Sequence, residues 1–166
     1  MLPLKVLFLC TGNSCRSQMA EGLLRHLASE VLEVASAGTD PRPVHPLAVR
    51  SMAEIGVDIG AQESKPVERF LSEPFDWVIT LCDDAEQACH VFPGSAKRLH
   101  WRLRNPAAAR GSEEKKMQVF RAVRDELMAQ VEEWTPDLFD HILSLLSEQK
   151  SAKARGRKSP ATHASA

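Results

Sequence analysis

Leu4-Lys5-Val6-Leu7-Phe8-Leu9-Cys10-Thr11-Gly12-Asn13-Ser14-Cys15-Arg16-Ser17-Gln18-Met19-Ala20-Glu21-Gly22 passes from an apolar run, through small residues, into a helical pattern. Residues 4–9 are too apolar for an edge and predict a strand central to a parallel sheet. Residues 17–29 predict a helix with Met19, Leu23, Leu24 and Leu27 on one stripe. Cys10 therefore stands where a strand ends, and Thr11, Gly12, Asn13, Ser14, Cys15 and Arg16 lead into a helix N-terminus. Successive N–H groups in such a loop form an anion-binding concavity. The helix dipole adds partial positive charge. Arg16 brings a planar fork of donors that can close the cradle. The same field favours Cys10 as a thiolate nucleophile, and Ser17 can donate a hydrogen bond to its sulfur. A lone cysteine on an apolar strand is usually core filler, and a lone first-turn arginine is usually solvated. The fixed offsets of Gly, Asn, Ser and Arg set this pair apart.

Leu32 to Ala37 predicts a second strand, ended by Gly38. Pro46 suits the first turn of a helix over 46–55, and Lys65 to Leu71 predicts a short helix with Pro66 near its start. Phe75 to Leu81 and Ala96 to Trp101 predict the third and fourth strands. Ser112 can cap a helix over 113–133. Thr135-Pro136 predicts a restart, with a helix over 136–148 whose stripe is Leu138, Phe139, Ile142, Leu145 and Leu146. That extra stripe can pack on the body or pair with another chain. Strands alternating with helices predict an α/β fold: a four-stranded parallel sheet flanked by helices, with an extra C-terminal helix. Ligands of such sheets sit at the carboxyl ends of strands, where Cys10 and Cys82 both fall.

The 166 residues predict one domain over 1–149 and a basic, disordered tail over 150–166. Lys150 to Ala166 holds five Lys and Arg and no acid, leaving 16 basic against 22 acidic side chains in the rest. An acidic body disfavours nucleic acid as a partner. It also leaves attraction of an anionic substrate to local geometry. No run of eighteen apolar residues exists, so no membrane span is expected. The N-terminus lacks the layout of a secretory signal, and a cytoplasmic monomer is expected. Four cysteines in such a chain argue for chemistry or metal binding over structural disulfides.

A second constellation follows the third strand: Leu81-Cys82-Asp83-Asp84-Ala85-Glu86-Gln87-Ala88-Cys89-His90. Cys82 can be buried filler with Cys89 a coincidence. Cys82, Cys89 and His90 can be metal ligands, but zinc pairs usually sit closer together and no second pair is present. The third reading is a thiol relay, in which Cys10, Cys82 and Cys89 pass a disulfide along by exchange.

Cys10-x5-Arg16-Ser17 resembles the phosphate loop of low-molecular-weight protein tyrosine phosphatases. The longer string from Cys10 to Gly22 is similar to the thioredoxin-coupled arsenate reductases built on that fold. Thr80-Leu81-Cys82 with Cys89, Ser36-Ala37-Gly38, His100-Trp101 and the run Val119 to Glu126 extend the likeness over roughly residues 4–133. The resemblance implies arsenate as substrate, Cys10 as the attacking thiolate, and Arg16 with the loop amides as its cradle. It further implies a Cys10–Cys82 disulfide, then a Cys82–Cys89 disulfide, then reduction by thioredoxin, with no metal or organic cofactor. Cys15, inside the loop, reads as packing.

Two positions depart from the family. Where it places a general-acid aspartate before Pro-Ala, this chain has Asn105-Pro106-Ala107. An amide can donate hydrogen bonds but cannot give up a proton near neutral pH. Reduced but surviving activity is expected, with water or another acid such as Asp83 supplying the proton. Some members also hold potassium through residues matching Asn13, Glu21, Ser36 and an aspartate. The last position is Lys65 here, and its ammonium is expected to replace the ion by bonding Asn13 or Glu21. The alternative function is a phosphatase for phosphotyrosine or a small phosphomonoester, which needs neither Cys82 nor Cys89 but does need the missing acid. A non-catalytic anion sensor is the third class, disfavoured by the intact cysteines.

Overall fold

β1 (Leu4–Cys10) is buried along nearly its whole length, which requires a partner strand on each edge. The computed structural model, which describes residues 3–82 and 92–157, supplies both. β2 (Leu32–Gly38) pairs with one edge of β1 and β3 (Trp77–Thr80) with the other, all parallel, and β4 (Lys97–His100) follows β3. The order β2-β1-β3-β4 puts the reversal of winding between β1 and β3. Ligand crevices open at such a point, outside the carboxyl ends of the strands. Cys10 ends β1 and Cys82 follows β3 by two residues, so both sulfurs are delivered to that rim.

α1 (Arg16–Ala28) buries Met19, Ala20, Leu23 and Leu24. Leu27, expected on that stripe, is 60% exposed. α2 (Pro46–Ala53) starts on Pro46, with His45 Nδ1 accepting the Leu47 N–H at 3.1 Å. Arg121 and Arg124 of the last helix, α3 (Glu113–Gly156), tie it to α2 through Glu54 at 2.8 Å and 3.0 Å. Ser112 caps α3 through the Lys115 N–H.

Three expectations change. The predicted helix over 65–71 is only a 3-10 turn, Val67–Phe70. Lys65 and Pro66 are instead extended along β2: the Gly38 N–H bonds the Lys65 carbonyl at 2.9 Å, and Gly38 bridges to Pro66. The predicted break at Thr135-Pro136 is absent, since α3 runs through Pro136 unbroken. Proline removes one N–H and crowds the preceding turn, and here the surrounding turns carry the helix across it. α3 also continues to Gly156, into the segment expected as a tail from 150. By compactness the chain divides into one unit ending at Val131 and another beginning at Glu132. No helix is long and apolar enough, among the described residues, to cross a membrane.

Candidate active site

The loop between β1 and α1 shows which way its amides face through the partners of its carbonyls. Thr11 O accepts from the Asp40 N–H at 2.9 Å, Gly12 O from Arg42 at 2.8 Å and Ser14 O from His45 at 3.0 Å. Asn13 O accepts from Gln18 Nε2 at 3.0 Å and Ser64 Oγ at 2.7 Å. In a trans peptide the next N–H points opposite to each carbonyl. The N–H groups of Gly12, Asn13 and Cys15 are thereby turned away from the 39–45 segment, and that of Ser14 away from Gln18 and Ser64. Most of these residues, with Cys10 and Arg16, line a cavity of about 240 Å³. Together with the N-terminus of α1, that is an anion cradle built on a thiol.

Asn13 is the centre of the loop's scaffold. It is fully buried and adopts φ 45°, a left-handed backbone that asparagine tolerates better than most residues. Its Oδ1 accepts from the Lys65 N–H at 2.8 Å and from Gln18 Nε2 at 3.1 Å. Its Nδ2 donates to Ser36 Oγ at 2.9 Å and Ser17 Oγ at 2.8 Å. Ser17 Oγ also lies 2.8 Å from Cys10 Sγ, where its hydroxyl can donate once the thiol is ionised. The chain Asn13–Ser17–Cys10 thus presents a donor to the sulfur, the arrangement a thiolate needs.

Arg16 is 9% exposed. Its Nη1 donates to the Leu103 carbonyl at 3.0 Å, while its Nε is buried with no hydrogen-bond partner. A buried donor left open beside an anion cradle marks where a ligand oxygen belongs. Arg16, Thr11 and Asn105 also line a second cavity, of about 500 Å³, which reaches Cys82. Cys82 Sγ lies 3.3 Å from Thr11 Oγ1. Cys10 and Cys82 therefore open onto adjoining spaces with shared walls. Cys89, Asp83 and His90 lie outside the described residues. Cys10, Cys15 and Cys82 are free thiols.

Asn105 lines both cavities. Its Oδ1 accepts from the Ala107 N–H at 3.1 Å, capping the 3-10 turn Pro106–Ala108. Its amide NH2 can face a bound oxyanion as a donor. Burial pushes the Cys15 thiol up to about 11, so at neutral pH Cys15 is a protonated, packed side chain.

Lys65 sits beside Glu21. Its Nζ is 3.6 Å from Glu21 Oε1 and donates to the Glu63 carbonyl at 2.7 Å. It reaches Asn13 only through its backbone N–H. Burial raises the Glu21 carboxyl above its ordinary range, opposed by the charges of Lys65 and of Arg25 at 3.3 Å. An ammonium at this carboxylate leaves residues that do not fit a potassium ion. Among the described residues no group of three or more His, Cys, Asp or Glu is placed to hold a metal. A larger cavity, of about 780 Å³, lies along Glu21 and Lys65 and has no cysteine in its lining.

Gly38 and Gln18 are not legible in the sequence as site residues. A Cβ on Gly38 would lie 2.5 Å from Thr11 O and 2.8 Å from Asn13 N, so only glycine lets β2 pass the loop. Gln18 Nε2 spans Asn13 and the Glu63 carbonyl, tying the loop to the 62–65 segment. In the sequence Gln18 is one more polar helix residue.

Comparison with known proteins agrees with this geometry. Residues 5–150 match the profile of the low molecular weight phosphotyrosine protein phosphatase family. The arsenate reductase of Shouchella clausii (strain KSM-K16) is 45% identical over 129 residues, 78% of this chain and 93% of its own length. The arsenate reductase of Bacillus subtilis (strain 168) is 43% identical over the same shares. A solved arsenate reductase in its oxidized state superposes with a TM-score of 0.68 at 35% identity, covering 78% of this chain and 94% of that one. A tyrosine phosphatase of Erwinia amylovora, at 19% identity and a TM-score of 0.67, shares the fold.

Proposed function

Because this chain belongs to the low molecular weight phosphotyrosine protein phosphatase family and is one of its arsenate reductases, we propose that it reduces arsenate by a relay of Cys10, Cys82 and Cys89. Arsenate sits on the amides of residues 12–15, with Arg16 Nε as a further donor. Cys10 thiolate attacks arsenic, and one arsenate oxygen leaves as water after taking up protons. Cys82 attacks Cys10 sulfur, and the S–As bonding pair passes to arsenic. Arsenic leaves in the trivalent state as arsenite, and a Cys10–Cys82 disulfide remains. Cys89 attacks Cys82 sulfur and frees Cys10. The dithiol of thioredoxin reduces the resulting Cys82–Cys89 disulfide, returning both electrons. The cytoplasm, where thiols are kept reduced, is the compartment this cycle requires.

The observation that carries the reading is the shared wall. Thr11, Arg16 and Asn105 border both the Cys10 cavity and the Cys82 cavity, so an adduct on Cys10 forms next to the second thiol. A phosphatase needs only the first cavity.

Thiol counting tests it. Reduced protein given arsenate without thioredoxin is expected to lose two thiols. Cys89→Ser is expected to lose two as well, trapped as Cys10–Cys82. Cys82→Ser is expected to form no intramolecular disulfide. Peptide mapping is expected to find Cys15 as a free thiol in every case, because it is buried and its thiol is held protonated. Phosphate release from an aryl phosphate with no thiol loss on arsenate would instead make the chain a phosphatase.

Lys65 gives a second expectation. Turnover is expected to be equal in potassium and sodium, because an ammonium already stands at Glu21. Lys65→Asp removes that ammonium and adds an oxygen ligand, so this variant is expected to become potassium-stimulated. Clear potassium stimulation of the unaltered chain contradicts the assignment.

A further inference from the structure

Along the second half of α3 runs the stripe Glu132, Pro136, Phe139, Leu143, Leu146, Lys150, Lys153, spaced alternately by four and three residues. That is the spacing of a seam between two helices packed at a shallow angle. Every member is exposed, with Phe139 at 58%, Leu143 at 63% and Leu146 at 39%. These are three of the five exposed large apolar side chains among the described residues, and one helix aligns them within eight positions. Scattered apolar residues need no explanation, whereas an aligned stripe does.

The charges around the stripe say what covers it. Glu132, Glu133, Asp137 and Asp140 precede its apolar centre; after it come one acid, Glu148, and the bases Lys150, Lys153, Arg155 and Arg157. Leu143 lies within one residue of the midpoint: Glu132 is eleven residues before it and Lys153 ten after, Phe139 four before and Leu146 three after. A second copy laid antiparallel would place Leu143 on its own counterpart. Phe139 would meet Leu146, and Glu132 would meet Lys153. A parallel copy would face acid with acid and base with base.

We propose that the segment from Glu132 on is a dimerisation arm, through which two copies of this chain pair antiparallel about Leu143. The proposal replaces the monomer expected from the sequence. It is independent of the catalytic reading, because it rests on the exposed stripe of α3 alone.

Light scattering of the full chain after size exclusion, in reducing buffer, reads the mass directly. Twice 18.4 kDa is expected. Leu143→Glu places two carboxylates against each other at the two-fold axis and is expected to weaken the dimer by roughly 100-fold. Glu132→Lys and Lys153→Glu are each expected to shift the mass toward the monomer, and the double exchange is expected to restore the dimer. Far-UV circular dichroism and the two-thiol loss on arsenate are expected to be unchanged in all four, which separates loss of pairing from loss of folding. A monomer up to about 100 µM overturns the proposal, whether the stripe is then bare or taken up by lipid vesicles. A dimer that survives Leu143→Glu overturns it too, as does a double exchange that fails to restore the mass, since only the antiparallel arrangement pairs Glu132 with Lys153.

Discussion

Arg16→Lys is expected to lower kcat/KM for arsenate by about 10²–10³-fold while leaving the fold intact. Lysine keeps the charge, so a role that rested on charge alone would survive. The guanidinium of Arg16 does two things at once. Nη1 holds the Leu103 carbonyl at 3.0 Å, which fixes the plane of the group, and the buried Nε is left without a partner beside the cradle. An ammonium is a point donor on a flexible stem and cannot keep both directions. If it bonds Leu103 it leaves the oxyanion, and if it follows the oxyanion it leaves a buried carbonyl unpaired. The loss belongs to the developing negative charge on the arsenate oxygens, so it is expected mainly in the single-turnover thiol-loss rate. Binding of inorganic phosphate as a competitor is expected to weaken less. An Arg16→Lys variant within about tenfold of the parent in both would show that charge alone suffices.

The central strand, the position of Cys10 at its end and the delivery of Cys82 to the same rim are all legible in the sequence. A fully apolar strand followed by small residues and a helix has few other arrangements in a parallel sheet. The 65–71 segment misleads because its backbone is committed to the loop: Lys65 N–H to Asn13 Oδ1, Lys65 carbonyl to the Gly38 N–H. Those are tertiary bonds between residues far apart in the chain, and local propensity carries no trace of them. Asn13 shows the same limit. It is legible as one member of an anion loop, but its left-handed backbone and its four side-chain bonds become visible only when Ser17, Ser36, Gln18 and Lys65 are assembled around it. The break expected at Pro136 shows the reverse error, since a strong local signal is overridden by the helix on both sides. Phe139 and Leu146 are exposed while Leu138 and Ile142, which the sequence groups with them into one apolar stripe, are buried.

Asn105→Asp is expected to accelerate the first arsenate step, which makes it a test that damage to the protein cannot imitate. In the proposed relay, attack by Cys10 expels an arsenate oxygen that must be protonated as it leaves. Asn105 lines both cavities that Arg16 borders, but its amide has no proton to transfer. Asp40, the acid among the described residues on the Cys10 cavity, is engaged by Arg42 at 3.0 Å. Among the described residues that leaves water to protonate the leaving oxygen, Asp83 lying outside them. A carboxyl at 105 retains the acceptor that caps Ala107 N–H at 3.1 Å, so the turn over Pro106–Ala108 should hold. A positioned general acid contributes typically 10²–10⁴-fold, but Arg16 and Arg104 border the same space and favour the ionised carboxylate. The expected gain is accordingly at the low end, about 10- to 100-fold in the rate of thiol loss in a single turnover. It is expected to grow as pH falls through the range where the new carboxyl takes up its proton, whereas the parent shows no such acid-dependent rise. With aryl phosphates, the variant is expected to depend less on the basicity of the leaving phenol, because the acid now shares the charge that the phenolate otherwise carries alone. A rate unchanged or lower in Asn105→Asp, with Arg16 intact and the fold preserved, would mean that the proton already comes from a group as effective as the one restored.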